Sequence, residues 1–578
     1  MLWQFPEKDV DAAAVKAIAT EFSLHPVAAE LLVRRGHTTP ELAQAFLGGS
    51  LGDLPDPSLL MGMDAAIERV ARALRGGERI VAYGDYDVDG VTSTALLVRF
   101  VRALGGTIEA YIPNRLTEGY GLNRAAVELL AAQGTRLLVT LDCGVTQVAE
   151  VDRAVQLGMD VVVVDHHQVS PELPRAVAIL NPQQPGCAFP QRHLCAAGVT
   201  FFLLVGLRRS LRAQGFFENR PEPRLREELD LVALATIADV VPLTNVNRLL
   251  VREGLKELAR GARPGLRALR LVADLPSSGE LTSGQVAFRL APRLNAAGRI
   301  DDAGRALKLL LAESDAEAGP LAQALDRSNR ERQAVEARIL AQALAALPEP
   351  LTDAIVLASP EWHAGVVGIV ASRLVERTGR PSLVLAIEGD EAKGSGRSIP
   401  GFNLHQALVA QSALLTRFGG HAAAAGLALR TENLDSLRHG LCAEVRARLG
   451  PEALGPRCRI DARIASQAVD SRLASDLERL RPFGSGNPEP VFALFGIHGE
   501  GRALASRFKQ GESHLKLRVA LARGAVEGIG FGLGAELPVL AGPFDAAFHL
   551  ELDEWQGQQR LQMRLKAVRV AEAAAAAA

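Results

Sequence analysis

The run VVVVDHHQ (161–168) sets four valines directly before Asp165, His166 and His167. An unbroken β-branched apolar stretch of this kind predicts a strand buried on both faces, as in a parallel sheet. A carboxylate and two imidazoles would then stand at its carboxyl end, where open α/β sheets bind their ligands. Two further segments end in the same way: RIVAYGDYDVDG (79–90) delivers Asp85, Asp87 and Asp89, and RLLVTLDCG (136–144) delivers Asp142. One Asp after a buried strand serves as a helix N-cap or turn former. Three acidic strand ends in one half of the chain exceed that explanation. Hard carboxylate oxygens with a few imidazoles form a donor set for divalent cations such as Mg²⁺ or Mn²⁺.

The elements that must position these residues alternate. A helix over 63–74 precedes the first motif strand, and a helix over 91–104 follows it. TIEAYIP (107–113) reads as a strand, NRAAVELLAAQ (123–133) as a helix, TQVAEVDRAVQLG as a helix and AVAILNP (176–182) as one more strand. Strand–helix alternation at this spacing predicts a mostly parallel α/β sheet. From 196 to 310 the pattern is helical, and ELDLVALATIADV (228–240) ends in Asp239. The chain therefore divides into an N-terminal helical cap on the first domain (1–50), a catalytic α/β domain (51–312) and a polar connector helix (313–348). A second α/β domain (349–457), an all-β region (458–572) and an Ala-rich tail (573–578) follow. The all-β region has the strand count and length of a five-stranded OB-fold barrel. PFGSGNPEP (482–490) reads as a Pro/Gly loop before its second strand.

The 578 residues carry 64 Lys and Arg against 66 acids, a net charge of −2, so any nucleic-acid contact must come from local placement of cations. The five cysteines (143, 187, 195, 442, 458) are irregularly spaced without a C-x-x-C, which fits reduced thiols rather than disulfides or a zinc site. No apolar run spans a membrane and no signal peptide is visible, so a cytoplasmic protein is expected. Outside the acidic motifs, Gly-Ser-Gly in GSGRS (394–398) would free backbone N–H groups for an anion, with Arg397 adding a fork.

DYDVDG, LDCG, VDHH and IADVVPL (237–243) resemble the four motifs of the DHH phosphoesterase superfamily. The sequence from about residue 50 to about 570 is similar to its bacterial branch of 5′→3′ exonucleases specific for single-stranded DNA, and PFGSGNPEP looks like a segment of that branch. The resemblance implies a DHH domain, a DHHA1 domain and a DNA-binding OB fold. It implies two divalent cations, Mn²⁺ or Mg²⁺: Asp87 on one, Asp89 with His166 and Asp239 on the other, and Asp142 between them. Asp85 and Asp165 would be ligands or orient a histidine, and His167 would face the scissile phosphate. Related pyrophosphatases carry a His where this chain has Tyr83, so the first cation would have fewer protein ligands. Substrate-binding positions implied in the same way are Arg115, Arg293, Asn295, Arg299, His363, Ser395, Arg397, Gly419, Gly420 and His421. In the barrel Phe508, Lys509, Lys516, Arg518, Trp555 and Arg560 are candidates. The implied partners are single-stranded DNA with a 5′ end, single-strand-binding protein and repair helicases, with the chain a monomer. An oligoribonucleotide or cyclic-dinucleotide phosphodiesterase is the alternative within the superfamily, and a scaffold with decayed motifs is disfavoured because every acidic position is filled.

Overall fold

The computed structural model of the chain describes residues 1–7, 9–114, 117–119, 121–300, 302–506, 513–555 and 558–571. These form two units. One comprises Gln44–Glu331 together with Arg481–Pro488, and the other Met1–Ala43, Arg332–Leu480 and Glu489–Ala578.

In the first unit, five parallel strands run in the order Ile108–Tyr111, Ile80–Gly84, Leu137–Leu141, Asp160–Val164 and Ala178–Leu180. Their apolar residues face both ways. Ile80, Ala82, Val139 and Val162 join the core beneath the helices Val88–Ala103 and Ala196–Ala213, while Val81, Tyr83, Leu138 and Val161 join a second core with Val127 and Val151. Burial on both faces is why the sequence shows continuous rather than alternating apolar runs. Helices then fill the chain to Glu331, as the periodicity predicts. One of them, Leu229–Ala238, is buried along its length and mostly apolar, and its C-cap is Asp239.

The second unit holds a mixed five-stranded sheet and a barrel. In the sheet, Ile355–Ser359 and Ser382–Glu388 are parallel, and Glu391–Arg397, Ala424–Arg430 and Leu415–Gly420 add antiparallel. The barrel strands are Phe492–Ala505, Ser513–Leu521, Gly524–Gly530, Gln558–Val570 and Phe544–Trp555, and the first pairs with the last to close the ring. This is the expected five-stranded OB architecture.

Three features differ from the sequence reading. Residues 1–43 do not group with the catalytic unit. Leu2–Gln4 pairs in parallel with Arg457–Arg459, and Trp3 is buried beside Cys458, Ile460 and Ala547 with the Arg569 guanidinium 4.4 Å from its ring centroid. A large aromatic near a chain end finds its burial there, and residues 1–43 sort with the C-terminal unit. GSGR is not an anion-cradling loop. It lies in the strand Glu391–Arg397, paired on both sides, so the ladder consumes its N–H groups. Its glycines serve close approach, since a Cβ on Gly394 would lie 2.2 Å from the Val384 carbonyl oxygen and one on Gly396 2.3 Å from Leu383 Cδ2. The third difference is Arg481–Pro488, which belongs to the catalytic unit although both neighbouring stretches belong to the other.

A buried ion group braces the helical half of the catalytic unit. Arg263 forks onto Asp230 at 2.9 Å and reaches Glu228 at 2.9 Å, and Glu228 also accepts from Arg99. Arg263→Leu would strand Asp230 at low dielectric, leave Glu228 with Arg99 alone, and should cost about 3–5 kcal/mol. Calorimetry should show an earlier unfolding transition, partly restored by Arg263→Leu/Asp230→Leu. An unchanged transition in the single variant would show that the group contributes nothing to stability.

Candidate metal centre

Three carboxylates stand side by side because the ladder runs one residue past each strand. Asp85 N–H donates to the Leu141 carbonyl (3.1 Å), Asp142 N–H to Val164 (2.9 Å) and Asp165 N–H to Leu180 (3.0 Å). The register of the sheet thus becomes the register of the acids. Asp142 also has φ of +66°, a left-handed conformation that Asp tolerates better than most residues. Gly90 completes the approach of the following helix, since a Cβ there would lie 2.4 Å from the Asp85 carbonyl oxygen.

Each remaining ligand candidate is held by backbone donors. One oxygen of Asp87 caps its helix, accepting from Asp89 N–H (2.8 Å) and Gly90 N–H (3.1 Å). Asp89 accepts from Ala196 N–H (2.6 Å) and Ala197 N–H (2.8 Å), the first turn of the helix Ala196–Ala213. That helix start bears no capping residue, so nothing local in the sequence marks it as the anchor of Asp89. Asp165 accepts from the N–H groups of His166, His167 and Val145, and its Oδ1 lies 2.7 Å from His167 Nδ1. Asp165 therefore orients His167.

The ligand atoms fall into three groups, each within 4.8 Å: Asp85, Asp87 and Asp142; Asp89, His166 and Asp239; and Asp142, His166 and His167. His166 Nε2 lies 3.1 Å from Asp142 Oδ1 and 3.6 Å from Asp89 Oδ2, and its Nδ1 lies 3.7 Å from Asp239 Oδ2. Asp142 is thus shared between the acidic group and a histidine group. This donor set, oxygen-rich with imidazoles, fits two divalent cations. Tyr83 does not join it. Its hydroxyl donates to the Gly121 carbonyl (2.9 Å) and its ring stacks on Tyr111 at 5.2 Å. Cys143 is buried, which pushes its thiol pKa up and disfavours a thiolate nucleophile.

Electrostatics point to the same chemistry. Burial and the Asp87 charge push Asp89 up to about 7, and burial with Asp89 and Asp87 pushes Asp239 up to about 8. Burial and the surrounding carboxylates hold Asp142 well above the usual range. Burial and neighbouring His167 lower His166 to about 4, leaving it neutral as a ligand must be. Burial opposes protonation of His167, but Asp165 outweighs it and raises the ring to about 9.

After Asp239 the chain makes a costly turn. Val240 has φ of +59°, which for a β-branched residue stores of order 1–3 kcal/mol and persists only where the surroundings over-determine it. Asn247 Nδ2 donates to the Pro242 carbonyl at 3.0 Å, and Leu243 N–H to the Ser485 carbonyl at 2.7 Å.

The other candidates divide. Asn295 Oδ1 accepts from Val88 N–H (3.1 Å), fixing the first motif. Arg293 is not placed as a phosphate fork: it bonds Asp326 (3.0 Å) and the carbonyls of Arg289 and Val272. Arg299 is half-buried on the same helix, Ala291–Ile300. Arg115, Phe508 and Lys509 lie outside the described residues. In the second unit, register brings Ser395 opposite Gly426 and Gly426 opposite Gly419, so GSGRS and GGH share one row of the sheet. Gly420 pairs with Ala425 beside it, exposed His421 closes the hairpin, and Arg397 Nη1 donates to the Gly396 carbonyl (2.8 Å). A Cβ on Gly368 would lie 3.2 Å from both Ser395 Cβ and Arg397 Nη2, whereas His363 is exposed and its Nδ1 accepts from Gly365 N–H.

The raised groups predict how the cation-free protein responds to pH. Carboxylates with raised folded-state pKa contribute stability that is complete below about pH 4 and lost as pH rises through about 7 for Asp89 and about 8 for Asp239. The contribution of His167 is complete below its ordinary pKa of about 6.5 and lost through about 9. His166, shifted down, acts only below about 6.5. The thermal midpoint in EDTA should therefore fall between about pH 6.5 and about pH 8.5, and saturating Mn²⁺ should flatten the fall. A midpoint in EDTA that rises across this window would contradict the assignment.

Comparison with known proteins adds the family. The chain matches the DHH family N-terminal domain over residues 79–236, the DHHA1 domain over 351–447 and the RecJ OB domain over 460–567. It is 37% identical over 579 residues to the single-stranded-DNA-specific exonuclease RecJ of Bacillus subtilis, covering 99% of this chain and 71% of that protein. It is 39% identical to RecJ of Escherichia coli, covering 87% and 89%. The crystal structure of RecJ from Thermus thermophilus in complex with Mn²⁺ superposes with a TM-score of 0.82 at 33% identity, covering 99% of this chain and 80% of that one. With three domains in the same order and relatives aligned along nearly its whole length, the chain belongs to the RecJ family of single-stranded-DNA-specific exonucleases.

Proposed function

We propose that the protein is a metal-dependent exonuclease that degrades single-stranded DNA in the 5′→3′ direction to mononucleotides, in repair and recombination. The observation that carries the reading is the shared carboxylate of Asp142 between two ligand groups. Two divalent cations, Mn²⁺ or Mg²⁺, would, when bound, supply an activated water and neutralise phosphoryl charge. Asp85 and Asp87 would hold one, Asp89, His166 and Asp239 the other, and Asp142, common to two ligand groups, would serve both. Asp165 turns Nδ1 of His167 toward itself, so Nε2 is directed the other way, toward a phosphoryl oxygen. GSGRS and GGH form the strand-binding row of the DHHA1 domain, and Arg115 meets the terminal phosphate. The domain limits are those drawn from the sequence, except that residues 1–43 group with the C-terminal unit and 481–488 with the catalytic one. No helix among the described residues is long and apolar enough to cross a membrane. We place the protein in the cytoplasm as a monomer, working with single-strand-binding protein and repair helicases.

The direct test uses Mn²⁺ with single strands labelled at either end. A 5′ label should leave as mononucleotide at the earliest times while a 3′ label shortens progressively. First release from the 3′ end, or faster cleavage of oligoribonucleotides, would favour the alternative phosphodiesterase. Removing outer-shell partners of a metal ligand typically costs 10–100-fold, so Asp142→Asn should cost more than about 100-fold in turnover with the fold intact. Near-normal turnover would defeat the bridging role.

The barrel should serve grip rather than bond cleavage. Truncation near residue 457 cannot test this, because it would also remove Arg481–Pro488 from the catalytic unit. Arg502 and Lys516 are cross-strand neighbours, and Arg518 is exposed on the same strand as Lys516. Changing all three to Glu should weaken long-strand binding and lower the salt slope by about 0.7 per lost phosphate contact. Hydrolysis of a saturating trinucleotide should be unchanged, and equal loss on both substrates would place the barrel in the chemistry.

A further inference from the structure

The segment Pro482–Pro488, PFGSGNP, takes no part in the roles assigned above, yet it is built into the catalytic unit. It is locked internally: Asn487, buried, donates from Nδ2 to the Pro482 carbonyl (2.8 Å), and Gly484 and Asn487 exchange backbone hydrogen bonds. It is locked externally by Ser283, whose hydroxyl donates to the Phe483 carbonyl. Its contact surface is the stretch immediately after Asp239. The Ser485 carbonyl accepts from Leu243 N–H at 2.7 Å, a Cβ on Gly484 would lie 2.7 Å from Leu243 Cδ1, and one on Gly486 3.0 Å from Pro242 Cβ. Gly486 has φ of +72°, so only glycine meets both the conformation and the space without strain.

We propose that this loop is a positioning element for the metal centre: it clamps Val241–Leu243 and so maintains the left-handed turn at Val240 that presents Asp239 to the second cation. A β-branched residue does not hold φ of +59° unaided. The Leu243–Ser485 hydrogen bond fixes the far end of the turn, as the buried helix Leu229–Ala238 fixes the near end. The loop touches neither substrate nor cation in this scheme; it acts through Asp239.

The proposal rests on reading Asp239 as a ligand, and the test separates the two. Mn²⁺ binding to the full-length protein is measured without DNA, from the electron paramagnetic resonance of free Mn²⁺. Asp239→Asn should weaken one Mn²⁺ site; unchanged binding would remove the ligand reading and the proposal with it. Asn487→Ala should lower Mn²⁺ affinity about tenfold, the size of an outer-shell effect, and raise the Mn²⁺ concentration needed for half-maximal hydrolysis while turnover at saturating Mn²⁺ recovers. Weakened binding in Asp239→Asn but not in Asn487→Ala would overturn the positioning role alone. Glycine occupies the left-handed region freely, so in a Val240→Gly background Asn487→Ala should cost less than about threefold, the shortfall measuring the coupling. Equal loss in both backgrounds would mean that the loop does not act through this turn. Should Asn487→Ala fail to fold by circular dichroism, Ser283→Ala loosens the same loop from outside and carries the same expectations.

Discussion

Crowding of like charge at one sheet edge is the constraint on which this structure depends. Asp85, Asp142 and Asp165 are adjacent because their strands are adjacent, and Asp87, Asp89 and Asp239 are brought against them with little exposure to water. Such a set cannot be fully ionised at low dielectric without compensating cations. Parallel strands alone would not hold it together. Much of the surrounding architecture supplies the backbone donors and buried helices that hold each carboxylate where its neighbours oppose it.

Those supports share a logic. Asp89 takes two N–H donors from the start of one helix, Asp87 caps another, and Asp165 spends its oxygens on three backbone N–H groups and one imidazole. Helix N-termini are suited to this, since their first N–H groups lack intrahelical partners and the dipole favours negative charge. The carboxylates so treated are fixed in orientation. Asp142 and Asp239 instead adjoin left-handed backbone at Asp142 itself and at Val240, where strain substitutes for side-chain anchoring.

The catalytic half was legible because its signals are local. β-branched runs ending in Asp mark buried parallel strands, and apolar positions at helical spacing over 228–240 place Asp239 at a helix end. What escaped reading depends on contacts distant in sequence. Nothing around Ala196 reveals that its N–H holds Asp89. GSGR has a composition unfavourable to strands, and it becomes one between two pairing strands, with the Ser382–Glu388 side approaching so closely that only glycine fits at 394 and 396. Tyr83 looked like a lost ligand position, whereas it is a buried core residue whose hydroxyl is taken up by the Gly121 carbonyl. PFGSGNP is a sufficient turn sequence by itself, and its attachment beyond Leu243 leaves no local mark.

The pairing of Leu2–Gln4 with Arg457–Arg459 has a consequence for biogenesis. On a ribosome adding about 5–20 residues per second, the first strand waits roughly 20–90 seconds for its partner. Throughout that interval Trp3 has no burial site, since the surface that covers it includes Ile460, Ala547 and Ala567. The catalytic unit likewise lacks one of its parts until Arg481–Pro488 emerges. Neither unit is a contiguous stretch that can close behind the advancing chain, so each is completed only after segments distant in sequence have emerged.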